Sequence, residues 1–206
     1  MTTSTPNGLI YLDHNATTPV APEVLDAMLP YLKQHYGNPS SDHPLGHRAH
    51  QAIEEAREQV ASLIGAEPAE IVFTSGGTEA NNLAIRGTAA TAEPGRRRIV
   101  TSNVEHPATA RPCDLLEKQG WTITRLPVTG TGTLDPDTVI HALDTDVALM
   151  TVMLAHNETG AIMPVTATAT AARRSGIITH TDAAQAIGKI DVDIDSLGLT
   201  PGLFAR

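Results

Sequence analysis

The segment Val147-Ala148-Leu149-Met150-Thr151-Val152-Met153-Leu154-Ala155 is almost unbroken in apolar residues. A strand with one wet face alternates polar and apolar residues. A run this apolar reads as a strand covered on both faces, the condition of an interior strand in a parallel sheet. Its surroundings agree. Strand-like runs at Glu70–Thr74, Arg98–Ser102, Trp121–Val128 and Ile177–Thr181 alternate with helical patterns. The helices begin at Thr78 and then cover Pro107–Gln119, Asp137–Leu143 and Ala167–Ser175. Strands that alternate with helices predict an α/β fold with a mainly parallel sheet and right-handed crossovers.

Two helices precede this alternation. One opens at Pro22 and places Val24, Leu25, Met28, Leu29 and Leu32 on one face, with Pro30 expected to kink it. After a loop at Gly37-Asn38-Pro39-Ser40-Ser41, a second runs from about Gly46 to Ile64 and stops at Gly65.

Composition narrows the function classes. The net charge is −9, from 14 basic and 23 acidic residues, which argues against a nucleic-acid or anionic-membrane surface. The local exception, Arg96-Arg97-Arg98, is expected in a solvated loop before a strand. Cys113 is the only cysteine, so neither an intrachain disulfide nor a cysteine metal cluster is expected, and a reducing cytoplasm fits. Met1 to Gly8 carry no apolar signal core, and no apolar run approaches the length of a membrane span.

Chemistry-bearing residues collect where strands should end. Ile71-Val72-Phe73-Thr74-Ser75-Gly76-Gly77-Thr78-Glu79 reads as a strand, a glycine turn and a helix start. First-turn N–H groups and the helix dipole make such a turn an anion cup, with Thr78 as cap and Glu79 as a helix-start carboxylate. Later strand ends supply Glu105-His106, then His156-Asn157-Glu158-Thr159-Gly160, then His180-Thr181-Asp182-Ala183-Ala184-Gln185. Ligands of open α/β sheets bind beyond the carboxyl ends of strands. Phosphate donors, an imidazole, an amide and a carboxylate together describe a site for a phosphorylated, titratable, aromatic-like ligand.

The same residues carry a resemblance. Tyr11-Leu12-Asp13-His14-Asn15-Ala16-Thr17-Thr18-Pro19, Gly37 to Ser41, Phe73 to Asn82, Glu105-His106, His156 to Gly160 and His180 to Lys189 stand in the order of a known family. The chain resembles the cysteine desulfurases, pyridoxal-phosphate-dependent enzymes of class-V aminotransferase fold. The resemblance implies part of a fold-type I large domain over residues 21–199, after an N-terminal segment 1–20 and before an atypical tail 200–206.

The resemblance also implies roles. Gly77 and Thr78 would hold the cofactor phosphate. His106 would stack on the pyridine ring and move protons, since an imidazole titrates near neutrality. Asp182 would pair with the protonated pyridine nitrogen and keep the ring an electron sink. Gln185 would bond the ring's phenolic oxygen. Asn157 would reach the substrate carboxylate and the ring-oxygen region, and Asn15 would stand near the substrate end. L-Cysteine would be the substrate, and a sulfur-acceptor or scaffold protein the partner. The full-length enzyme would be a cytoplasmic homodimer serving iron–sulfur clusters or thio-cofactors.

Several parts of the family pattern are not found in these residues. The lysines are Lys33, Lys118 and Lys189, and none stands where the family places its Schiff-base lysine, so pyridoxal phosphate is expected to bind non-covalently at most. Cys113 follows Pro112 in a helical pattern and reads as a small buried apolar residue, not the family's catalytic cysteine. The arginine for the substrate carboxylate, the late strands and the C-terminal small domain are likewise missing. Without those strands Ile71–Thr74 loses its neighbours, and unpaired buried backbone groups cost about 1–3 kcal/mol each. Against a total stability of roughly 5–15 kcal/mol, the chain alone is expected to be inactive and unstable or partly folded. The alternatives are a non-catalytic pseudoenzyme or interaction module of the same fold, and a related enzyme such as a selenocysteine lyase or class-V transaminase.

Overall fold

A computed structural model describes residues 8–199 and the backbone of 202–205. It divides into two compact units, Met1–Gln59 and Val60–Arg206.

In the first unit, α1 (Pro22–Lys33) runs through Pro30, whose carbonyl accepts from the N–H groups of Gln34 and His35. None of its residues is buried, and Val24, Leu25, Met28 and Leu32 stay exposed. Helix α2 (Pro44–Ile64) begins two residues earlier than its pattern. The loop before it is held by Asn38, whose Oδ1 accepts from Ser40 N–H at 2.9 Å and whose carbonyl accepts from Ser41 N–H at 3.0 Å. A Cβ on Gly46 would lie 2.1 Å from the Ser41 carbonyl oxygen, so only glycine lets α2 start against this loop.

The second unit holds α3 (Gly77–Thr91), β1 (Arg98–Ser102), α4 (Pro107–Lys118), β2 (Thr122–Leu126), α5 (Pro136–His141), β3 (Val147–Thr151), α6 (Val165–Arg174), β4 (Ile178–Asp182) and β5 (Gly202–Ala205). The strands form one parallel sheet in the order β2-β1-β3-β4-β5. As expected for its composition, β3 is interior and buried along its whole length. Alternation along the strands sends neighbours to opposite faces. Ile99 and Leu149 join Ile85, Cys113, Leu116 and Trp121 in one apolar cluster, while Val100 and Met150 join Val139, Val165, Ala169 and Ala172 in the other. Both faces are therefore covered.

Three expectations are corrected. Glu70–Thr74 is not a strand: Pro68–Glu70 is a 3-10 turn, Ile71 leaves it extended, and residues 71–74 lie outside the described sheet. Val72 and Phe73 are exposed, at 68% and 48%. An apolar run becomes a strand only where a neighbouring strand offers it a ladder, and the sheet's order closes without it. Thr78 is not the helix cap; Gly76 occupies that position, without a side-chain bond, and Thr78 lies in the first turn of α3. The arginine run is not merely solvated. Arg96 donates to the carbonyls of Val147 at 2.9 Å, Gly176 at 3.2 Å and Ser175 at 3.2 Å, while Arg98 opens β1 and pairs with Asp146 at 2.8 Å. The tail adds β5, which lies parallel to β4.

Candidate active site

Because all strands are parallel, their carboxyl ends share one edge of the sheet. Here the second unit gathers Gly77, Thr78, His106, Asn157, Asp182 and Gln185 on the ends and following loops of β1, β3 and β4 and on the start of α3. Asn15, exposed in a turn at residues 14–16, belongs to the first unit.

The turn into α3 needs a positive φ of 152° at Gly76, which disfavours any side chain, although a Cβ there would meet nothing within 4 Å. The space beside Gly76 is open. The first intrahelical bond runs from Ala80 N–H to the Gly76 carbonyl at 3.1 Å. The N–H groups of Gly77, Thr78 and Glu79 therefore precede the helical ladder at its positive end. Glu79 turns back: its Oε2 accepts from Ser75 N–H at 2.6 Å, and the Ser75 bonds hold its carboxyl below the usual range. It braces the turn.

Asp182 is the last residue of β4 and is buried. Its Oδ1 accepts from Ala184 N–H at 3.0 Å and its Oδ2 from Asn81 Nδ2 at 2.8 Å. Among the described residues no arginine or lysine forms an ion pair with it. A carboxylate anchored at both oxygens but not paired to a side-chain cation is a fixed acceptor suited to a cationic N–H. Beneath it His180 is fully buried, shares a 2.7 Å hydrogen bond with Thr151 Oγ1 and leaves Nε2 without a partner. Burial, partly opposed by Asp182, pushes its pKa down to about 4, so the ring is neutral at pH 7.

His106 caps α4. Its Nδ1 accepts from Ala108 N–H at 3.1 Å. An accepting Nδ1 carries no proton, so the neutral ring bears its proton on Nε2. The residue is exposed, which makes that N–H available to a ligand. Asn157 follows β3 in a half-buried turn. Gln185 is half-buried, and Lys189 Nζ donates to its Oε1.

Two contributors have no role in the sequence reading. Asn81 belongs to the buried stripe Asn81, Ala84, Ile85 and Thr88 of α3. That helical spacing puts it on the inward face, the signal that could have flagged it. Glu105 is quoted beside His106 but given no function. Its carboxyl turns inward and binds at the ends of β1 and β3.

Comparison with known proteins matches residues 10–200 to the aminotransferase class-V family. This chain belongs to that family. It is 49% identical over 190 residues to the cysteine desulfurase IscS of Dictyoglomus turgidum, covering 92% of this chain and 48% of the relative. It is 52% identical over 194 residues to a cysteine desulfurase of Enterobacter agglomerans, covering 91% and 48%. Among solved structures, SspA in complex with cysteine superposes with a TM-score of 0.89 at 37% identity, over 92% of this chain and 55% of that one. A NifS-like protein gives 0.86 at 36% identity, over 89% and 51%. The chain thus spans about half the length of these relatives.

The family is pyridoxal-phosphate-dependent. The residues present fit that group on their donor chemistry. A helix start with open space beside its turn glycine suits a phosphate, and the doubly anchored Asp182 suits a pyridinium N–H.

Proposed function

We propose that this chain forms the phosphate and pyridine half of a pyridoxal-phosphate site, and that the whole protein is a cysteine desulfurase. The observation that carries the reading is Asp182, buried at the end of a parallel strand, anchored at both oxygens and, among the described residues, without a cationic side-chain partner. The fold and the relatives' names support the same direction.

On this reading the N–H groups and hydroxyl at Gly77 and Thr78 hold the phosphate, and Asp182 keeps a proton on the ring nitrogen. When bound, pyridoxal phosphate supplies an electron sink for charge that develops beside the substrate's amino group. His106 packs against the ring and moves a proton at Nε2, the nitrogen that its Ala108 bond leaves available. Asn157 and Gln185 orient the ring oxygen and the substrate carboxylate. L-Cysteine would be the substrate, a sulfur acceptor the partner, a homodimer the assembly and the cytoplasm the compartment.

Lys33, Lys118 and Lys189 are given no covalent role. The chain's own affinity for pyridoxal phosphate is therefore non-covalent, and dialysis should remove it even after borohydride. The test is a titration of the purified protein with pyridoxal phosphate and with pyridoxal. The expected result is saturable binding of the first, at least about a hundredfold tighter than the second, as a charge-assisted phosphate site requires. Equal affinity for both, or no binding, would overturn the reading.

A further inference from the structure

The sheet changes direction between β1 and β3. The chain leaves β1 toward β2 on one side and, after β3, continues to β4 on the other. At such a switch point the loops beyond the two strands part and open a crevice. Here one side chain crosses it. Glu105 Oε1 accepts from Ser102 Oγ at 2.6 Å, at the end of β1, and from Met153 N–H at 3.0 Å, just past the end of β3. Its Oε2 lies 3.1 Å from the same Met153 nitrogen. Ser102 Oγ also accepts from Val104 N–H at 3.2 Å, and Asn103 N–H donates to the Leu126 carbonyl at 2.9 Å. Every residue from Ser102 to Glu105 is thus tied down before the chain reaches His106.

We propose that Glu105 is the positioning residue for His106: its carboxyl bridges the ends of β1 and β3 and so fixes where the imidazole stands at the site. This rests on the reading of His106 given above. The carboxyl has two ways to hold the bridge. Ionised, it accepts both bonds. Protonated, it donates to the Ser102 hydroxyl, which can accept, and keeps Met153 N–H on its other oxygen. The titratable group that acts on it is Asp182 at the end of β4, while its own charge acts on the Cys113 thiol of α4. Burial raises its pKa to about 7, opposed by the Ser102 and Met153 bonds and assisted by Asp182. The bridge therefore changes its bonding near neutrality without letting go, and glutamine reproduces the protonated form.

The test follows backbone amides by NMR in the purified protein, with wild type, E105Q and E105A. Met153 N–H reports the bridge, and Ala108 N–H reports the His106 cap. In wild type the Met153 resonance should inflect near pH 7. E105Q should hold the low-pH position throughout, and the Ala108 resonance should lose the component it shared with Met153. E105A should speed hydrogen exchange at both amides by at least about tenfold, while E105Q leaves it unchanged. Where E105A does not fold, the E105Q titration decides. A Met153 amide without an inflection that E105Q removes, or an Ala108 amide indifferent to both variants, would overturn the proposal. A protein that passes yet binds no pyridoxal phosphate would overturn only the proposed function.

Discussion

Asn81 Nδ2 donates to Asp182 Oδ2 at 2.8 Å, joining residues 101 positions apart in the chain. The bond ties α3, which starts at the Gly76 turn, to the end of β4. One amide therefore ties the start of α3 to the Asp182 carboxylate. Asn81→Ala removes a charge-assisted bond to a buried carboxylate, which is worth about 1.5–3 kcal/mol. Urea denaturation should show that loss, and an unchanged midpoint would count against the tie.

Glu105 and His180 should pull the pH dependence of stability in opposite directions. The folded pKa of Glu105 is raised from 4.5 to about 7. The folded state holds that proton more tightly than the unfolded state. The contribution is full below about pH 4.5 and is lost as pH rises through 7. The folded pKa of His180 is lowered from 6.5 to about 4. Its contribution is full above about pH 6.5 and is lost as pH falls through 4. Each shift corresponds to about 3 kcal/mol. Wild type should therefore show a flattened profile, and E105Q should expose a stability that rises with pH between those limits. A parallel profile in the two proteins would contradict the assignment.

Cys113 should be chemically silent while the protein is folded. It is fully buried, and burial pushes the thiol up to about 12. Reaction requires the thiolate and access to it. A disulfide reagent should label one thiol per chain in denaturant and essentially none in native buffer. Rapid native labelling would show a thiol environment unlike this one.

Gly46→Ala tests the packing of the first unit. The added Cβ would lie 2.1 Å from the Ser41 carbonyl, so the loop or α2 must move. Overpacking of this kind costs about 1–3 kcal/mol. Exchange at the amides of residues 38–50 should rise, and an unchanged pattern would mean the loop tolerates the methyl group.

The parallel sheet was legible because Val147–Ala155 could only be covered on both faces, and Arg98–Ser102 forms a strand over the expected residues. The proposed site residues stand in the sequence as polar groups just past apolar runs. Ile71–Thr74 misled because an apolar run states a preference for burial, not the presence of a neighbour to pair with. Thr78 misled because the tight turn claimed a glycine at the cap position. Asn81 and Glu105 act through partners far along the chain, at positions 182 and 153. No local pattern names such partners, although the buried stripe of α3 marks Asn81 as turned inward.

The measurement that bears most directly on the account is the affinity of the purified protein for pyridoxal phosphate, wild type against Asp182→Ala. A carboxylate that holds the ring nitrogen makes a charge-assisted bond, so the variant should bind at least about tenfold more weakly. Equal affinities would contradict the assignment of Asp182, and with it the central claim.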